Sequence, residues 1–264
     1  MGRSGGQGVT AEAGGVANTS FETAEDAVRA AGDRGVPLKL IGGQAVRLLT
    51  PDYPPRARND QDMDFASISK AKADVLAFLG EFGFVGDKQF NTMYGHKQMY
   101  FTTADGHTGV DVVMDQLNMC HVLSFADRID RMPYTLDVTD LLLSKLQVVE
   151  QNEKDVHDIV YLLSAFEVRG GDEPGTIGLD RVGAVVGDDW GWWRTVTMNL
   201  DRVIEHASGD LRRLIPASAA HDPVEQARRL RGHADAVPKS LRWKLRSKVG
   251  DRVQWYQLPE EVGH

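Results

Sequence analysis

Carboxylates recur at every second position of Arg58-Asn59-Asp60-Gln61-Asp62-Met63-Asp64-Phe65, with Met63 and Phe65 in the alternate places. An extended chain sends successive side chains to opposite faces, so Asp60, Asp62 and Asp64 are expected on one face of a strand. Side chains two apart on a strand lie about 6.5 Å from each other, within reach of a shared hard divalent cation that takes oxygen ligands. A further carboxylate, Asp111, interrupts the β-branched run Val110-Asp111-Val112-Val113-Met114-Asp115. A lone carboxylate in such a buried strand is costly unless it is paired or bound to a metal. If one sheet brings Asp111 beside Asp62 and Asp64, three carboxylates converge as a magnesium site facing nucleotide phosphates, with Asp115 on the same face in reserve. The competing reading is a solvated edge strand whose charges discourage pairing with other chains.

Other elements must position these groups. The apolar run at 38–41 predicts a strand that ends at Gly42-Gly43, followed by a helix over 44–49. Glycine at a strand-to-helix turn lets a ligand approach the backbone, and the N–H groups of a helix start favour an anion such as phosphate; a plain tight turn is the alternative. Thr23 is placed to cap a helix over 24–31, and Ser69 one through Val75, Leu76 and Leu79. Short strands are expected at 82–85, 89–93 and 97–102, with turns near Asp87 and Gly95, and another at 133–136. Thr139 then caps an apolar helix over 140–150, in which Lys145 is the lone cation before the end. Its ammonium either snorkels to water over a packed stem or meets a phosphate. A second helix opens at 154–159, where Asp155 and Asp158 share a face and either complement the helix dipole or join the acidic set.

The 264 residues, 42% of them hydrophobic and with a formal net charge of -8, suit a globular chain without a generally basic surface for gripping nucleic acid. No apolar run approaches the roughly 18 residues of a membrane span, and the N-terminus lacks the apolar core of a signal peptide, so a cytoplasmic location is expected. One cysteine, Cys120, excludes an internal disulfide and a multi-cysteine zinc site, and reads as a small buried hydrophobe. Residues 1–20 are expected as a disordered tail, 21–135 as an α/β core, 136–169 as its helical extension, 170–188 as a linker or loop, and 189–264 as a helical basic region. In that last region Arg242, Lys244, Arg246 and Lys248 alternate with other residues and offer cations to a phosphate backbone or form a solvated face. Helices are expected at 190–204, 222–231 and 239–249, with Trp190, Trp192 and Trp193 serving as core rather than as stacking platforms for bases.

Taken in order, these motifs resemble the nucleotidyltransferase superfamily of DNA polymerase beta type, and within it the toxin-like branch of type IV toxin–antitoxin and abortive-infection systems. The resemblance covers about residues 36–166. It rests on the strand ending in Gly42-Gly43, Arg58-x-Asp60-x-Asp62-Met63-Asp64-Phe65, Val110-Asp111-Val112-Val113, Asp140-Leu141-Leu142-Leu143-Ser144-Lys145-Leu146-Gln147, and Lys154-Asp155-x-x-Asp158-Ile159. It implies a mixed α/β sheet flanked by helices, and transfer of a nucleoside monophosphate from an NTP to an acceptor. It further implies that Asp62, Asp64 and Asp111 bind one or two Mg2+ ions, Asp111 helping to deprotonate the acceptor. Gly42, Gly43, Arg58, Lys145 and Asp155 would hold the nucleotide. Asp60 departs from the Thr or Ser common at its place in the family. An RNA or tRNA acceptor and an antitoxin protein are the partners implied by the toxin-like branch. A protein or an antibiotic-type small molecule as acceptor, and a non-catalytic nucleotide-binding regulatory module, stay open beside it. Phosphoryl-type transfer asks mainly for metal positioning and charge neutralisation, so an aspartate cluster with a lysine suffices, without a serine or cysteine nucleophile.

Overall fold

The apolar residues of two short runs, 63–67 and 109–114, alternate with Asp64 and Asp111, and the runs form neighbouring strands in the middle of a mixed sheet. The computed structural model describes residues 23–54, 62–207, 209, 212–213 and 215–258. The tail expected at 1–20, and with it Arg58 and Asp60, lies outside the described residues. Among those described, the order is α1 (Ala24–Asp33), β1 (Lys39–Leu40), α2 (Gly42–Leu49), β2 (Met63–Ser67), α3 (Lys72–Glu81), β3 (Val85–Gly86), α4 (Lys88–Met93), β4 (Gln98–Thr102) and β5 (Gly109–Met114). There follow β6 (Gln116–Asn118), β7 (Val122–Ser124), α5 (Val138–Leu146), α6 (Glu153–Ala165), β8 (Val168–Arg169), β9 (Ile177–Gly178), α7 (Leu179–Asp188), α8 (Trp190–Ala207), α9 (Pro223–Ala236) and α10 (Leu241–Ser247).

The five-stranded sheet runs β1-β2-β5-β4-β3, with β2 and β5 parallel and every other neighbouring pair antiparallel. Strand β2 is therefore interior, which removes the edge-strand reading of its acidic residues. One face carries Met63, Phe65, Val110, Val112, Met99 and Phe101 into the core. That core is continuous with Leu141 and Leu142 of α5, Ile159 and Leu163 of α6, and Val196, Leu200 and Leu230 of the C-terminal helices. The fold is thus an α/β mixed sheet flanked by helices, with a helical C-terminal region packed on the same core.

Capping explains where the elements begin. Thr23 Oγ1 accepts from Asp26 N at 3.1 Å and opens α1 as expected. Residues 88–93, expected partly as a strand, are helical because the Asp87 carboxylate accepts from Phe90 N at 2.8 Å and caps α4. Asp137, not Thr139, caps α5, its carboxylate accepting from Thr139 N at 3.0 Å. That helix stops at Leu146 rather than running to 150, and the Asn199 amide donates to the carbonyls of Leu146 and Val148 just beyond. The strand expected at 133–136 is reduced to one bridge between Leu40 and Thr135. The stretch 170–188, expected as a linker or loop, is a loop only over its first part and then contains β9 and the whole of α7. Trp190 and Trp192 are buried, and so is Cys120. Among the described residues no helix is long and apolar enough to cross a membrane.

Candidate functional site

Register fixes the acidic pair. Asp64 of β2 lies directly opposite Asp111 of β5, which lies opposite Tyr100 of β4, so the three share the face turned away from the Phe65–Val112–Met99 row. Asp64 is exposed and Asp111 half-buried. Gln98, two residues along β4, donates its Nε2 to Asp111 Oδ1 at 2.5 Å and fixes that carboxylate. Asp62 precedes β2 and is spent differently: its Oδ1 accepts from Gly109 N at 3.0 Å, extending the β2–β5 ladder through a side chain. The Tyr100 hydroxyl has its pKa pushed above the usual phenol range by burial first, and then by the charges of Asp62, Asp111 and Asp87. Asp115 does not join the set. It sits in the left-handed region at φ 63°, and its Oδ1 accepts from Ser69 N at 2.9 Å, so it shapes the turn after β5.

The glycine pair lies against the same carboxylates. Gly42 opens α2 at φ 64°, and a Cβ built there would sit 3.3 Å from Asp64 Oδ2. Both the conformation and the close approach call for glycine. Ile41, the residue before the helix, gives no side-chain cap. Its N–H donates to the Asp64 carbonyl at 3.1 Å, and Gln44 Nε2 donates to the Asp62 carbonyl at 2.8 Å. These bonds hold the helix start against β2.

Lys145 neither snorkels to water nor stands alone. Its ammonium is paired with Asp155 at 2.9 Å and Asp158 at 3.0 Å, and its side chain is only 14% exposed. Burial works to lower its pKa, but Asp158 and then Asp155 outweigh this and hold it above the ordinary lysine value. Asp155 has a second duty: with Asn152 it forms a reciprocal capping box at the start of α6.

One cleft of about 590 Å³ joins these pieces, lined among others by Gly42, Gly43, Asp64, Asp111, Lys145 and Asp155. Asp62 is not in its lining. Gln98, Glu150 and Lys154 are, and sequence reasoning gave none of them a role: a glutamine in a strand carries no signal of its own. Four lining carboxylates, Asp64, Asp111, Glu150 and Asp155, face two ammonium groups, Lys145 and Lys154. Among the described residues no group of three or more His, Cys, Asp or Glu is gathered so as to hold a metal ion.

No protein-family model and no curated protein matches the chain. Among solved structures it is similar to the antibiotic-resistance factor ANT(2'')-Ia at 12% identity, over 53% of this chain and 80% of that one, with a TM-score of 0.36. It is also similar to the lincosamide antibiotic adenylyltransferase LnuA, in a lincomycin-bound structure, at 16% identity, over 55% and 98% of the two chains, with a TM-score of 0.37. JHP933 from Helicobacter pylori is similar over 87% of this chain and 96% of its own, at 14% identity and a TM-score of 0.34. TM-scores of this size assign neither fold family nor activity.

Proposed function

We propose that this chain is a nucleotidyltransferase that moves a nucleoside monophosphate from a nucleoside triphosphate to an acceptor, using magnesium that enters with the nucleotide. The observation that carries this reading is the register pair Asp64–Asp111 in a cleft lined also by the Gly42-Gly43 helix start and Lys145. The donor set fits such an ion. Magnesium is usually held by one or two carboxylates together with substrate phosphates, not by an all-protein cage. The acidic excess of the cleft would repel a bare triphosphate and suits one whose charge is part-neutralised.

Asp64 and Asp111 would hold the ion, and Asp62 would add to them by releasing Gly109. When bound, magnesium supplies charge stabilisation at the transferring phosphoryl group. The remaining roles belong to the chain itself. Backbone N–H groups at the start of α2 would bind phosphate oxygens. Lys145 uses two of its three N–H donors on Asp155 and Asp158, and directs the third to a phosphate. Gln98 orients Asp111, which accepts the proton of the acceptor hydroxyl as the new P–O bond forms and pyrophosphate leaves. Arg58 belongs to this reading through its motif alone, as do the toxin-like branch, an RNA acceptor and an antitoxin partner.

Calorimetric titration with each NTP, with and without magnesium, tests the site. Wild type should bind in a magnesium-dependent way, and Asp64→Asn and Asp111→Asn should each weaken that binding at least tenfold at unchanged melting temperature. Equal binding by wild type and both variants overturns the site. Binding without transfer of labelled nucleotide to RNA, protein or small molecules in cell extract favours the non-catalytic module.

A further inference from the structure

A cavity of about 470 Å³ opens between β7, α7, the start of α8 and the C-terminal segment, and it shares no lining residue with the nucleotide cleft. Its size is that of a small-molecule site. Two indoles wall it, Trp192 and Trp255, and both turn their N–H groups elsewhere. Trp192 Nε1 donates to the Val122 carbonyl at 3.3 Å, and Trp255 Nε1 to Thr195 Oγ1 at 3.0 Å. Ring surface is what they leave to an occupant.

Polar groups with unused capacity line the same cavity. Arg181 donates Nε to Asp140 Oδ1 at 2.9 Å and Nη2 to the Ser124 carbonyl at 2.6 Å, which leaves Nη1 without a hydrogen-bond partner among the described residues. Asp188, seven residues further along α7, is exposed, and its carboxylate has no partner among the described residues. Asp189 is spent: its Oδ1 accepts from the N–H groups of Gly191 and Trp192, and Arg242 pairs with Oδ2 at 3.5 Å. The Thr195 hydroxyl accepts from Trp255, and its own hydrogen has His121 Nε2, 2.9 Å away, as its one acceptor among the described residues. Burial keeps the imidazole neutral, so its hydrogen sits on Nδ1, a further donor of a lining residue.

We propose that this cavity binds a dipeptide with apolar side chains, its amino end on Asp188, its carboxylate on Arg181 and its side chains against Trp192 and Trp255. A simple anion would be repelled by Asp188 and a simple cation by Arg181, while a purely apolar molecule would cover both charges unpaired, which is costly. A zwitterion satisfies both. Its length follows from the helix, because the seven residues from Arg181 to Asp188 rise about 10.5 Å. One extended residue with a hydrogen bond of about 2.9 Å at each end covers about 9 Å and falls short, whereas two residues reach about 13 Å. The peptide carbonyl then gives His121 Nδ1–H an acceptor. The site goes beyond the nucleotidyltransferase reading and does not depend on it.

Isothermal titration of the full chain with Phe-Leu, Leu-Phe, Leu-Leu and Trp-Leu, in the absence of nucleotide and magnesium, tests this. At least one of them should bind one per chain at millimolar concentration or below. Its N-acetylated form, its C-terminal amide, free phenylalanine and glycylglycine should each bind at least about tenfold more weakly. Asp188→Asn should weaken binding by a similar factor and leave the melting temperature unchanged, because the side chain is exposed. The assignment is overturned if none of the dipeptides binds, if any of those controls binds as tightly as the free dipeptide, or if Asp188→Asn binds it as wild type does.

Discussion

Lys145 and Asp158 hold each other in place within the molecule. Asp158 is 1% exposed, and its ion pair with the Lys145 ammonium stands in for the water it has lost. Lys145→Met should therefore destabilise the fold, by at most about 3–5 kcal/mol, the range for removing one partner of a buried pair. The double variant Lys145→Met with Asp158→Asn should recover part of the loss, as urea unfolding would show. If the single variant is as stable as wild type, the pair is not holding α5 to α6. Because the folded-state pKa of Lys145 is raised, this stabilisation is complete below the ordinary lysine value and fades as pH climbs through the higher folded one. Much at this scale was legible beforehand. Asp64 stood out by the alternation of acidic residues with Met63 and Phe65, Asp111 because a carboxylate in an apolar run demands a partner, and Gly42 by its place at a strand-to-helix turn. The diversion of Asp62 to Gly109 was hidden, since it depends on the register between two strands 47 residues apart. So was the partnering of Lys145, for a helix pattern shows which face a residue occupies but not what faces it from the next helix.

Two joints fix elements of the fold, the first of them beside the cleft, and neither was visible as a pattern. In the first, Arg128 donates to Asp140 at 2.6 Å and to Asp172 at 2.5 Å, Arg131 pairs with Asp137 at 2.9 Å, and Arg181 pairs with Asp140 at 2.9 Å. Glycine, proline and acidic residues made 170–175 look like a linker or long loop; it is a loop, and Asp172 ties it to the turn before α5, the helix that carries Lys145. Burial opposes the Arg128 charge, yet Asp172 and Asp140 hold its pKa above the ordinary value. The second joint lies under the C-terminal segment. Trp255 Nε1 donates to Thr195 Oγ1 at 3.0 Å, and the same hydroxyl lies 2.9 Å from His121 Nε2, with the His121 ring packed on Trp192. Burial lowers the His121 pKa to about 4, with Asp189 opposing weakly, so the imidazole is neutral in the folded chain. The unfolded chain takes up that proton at higher pH. The stabilisation is therefore complete above the ordinary histidine pKa and declines as pH falls toward the folded value, by about 2 kcal/mol between pH 7 and pH 5. Urea unfolding at both pH values should show this slope in wild type and a shallower one in His121→Asn. An identical slope in the two proteins would mean that His121 is already charged when folded.

At the scale of the whole molecule, charge is segregated on an acidic chain. The last helix and the residues just after it carry Arg242, Lys244, Lys248 and Arg252 at the surface, beside exposed Leu241, Leu245 and Val249. Alternation in the sequence allowed a strand or a helix there; α10, capped by Ser240, is the outcome, and a helix spreads the cations over a broader face. Alternation also grouped Arg246 with the others, which the structure separates. Its guanidinium donates to the carbonyls of Gly250 and Val253 and lies 4.6 Å from the centroid of the Trp190 ring, so it folds the chain end rather than facing solvent. From there the chain passes Trp255 to Gln257, whose N–H donates to the Cys120 carbonyl at 2.9 Å, and Gln257 and Leu258 border a groove of about 400 Å³ beside Tyr94. Between them, Trp255 and Gln257 share a cavity with Arg242, Asp188 and Asp189, and Arg242 pairs with Asp189 at 3.5 Å. Replacing Arg242, Lys244 and Lys248 together by Gln should flatten the log–log salt dependence of RNA binding by up to about three units, roughly one for each phosphate that loses its cation. The melting temperature should not change, because these side chains are exposed. Arg246→Gln should do the opposite, lowering the melting temperature because the bonds to two carbonyls and the packing on Trp190 go with the guanidinium, while leaving the slope nearly intact. A triple variant with the wild-type slope would leave α10 as a solvated basic face.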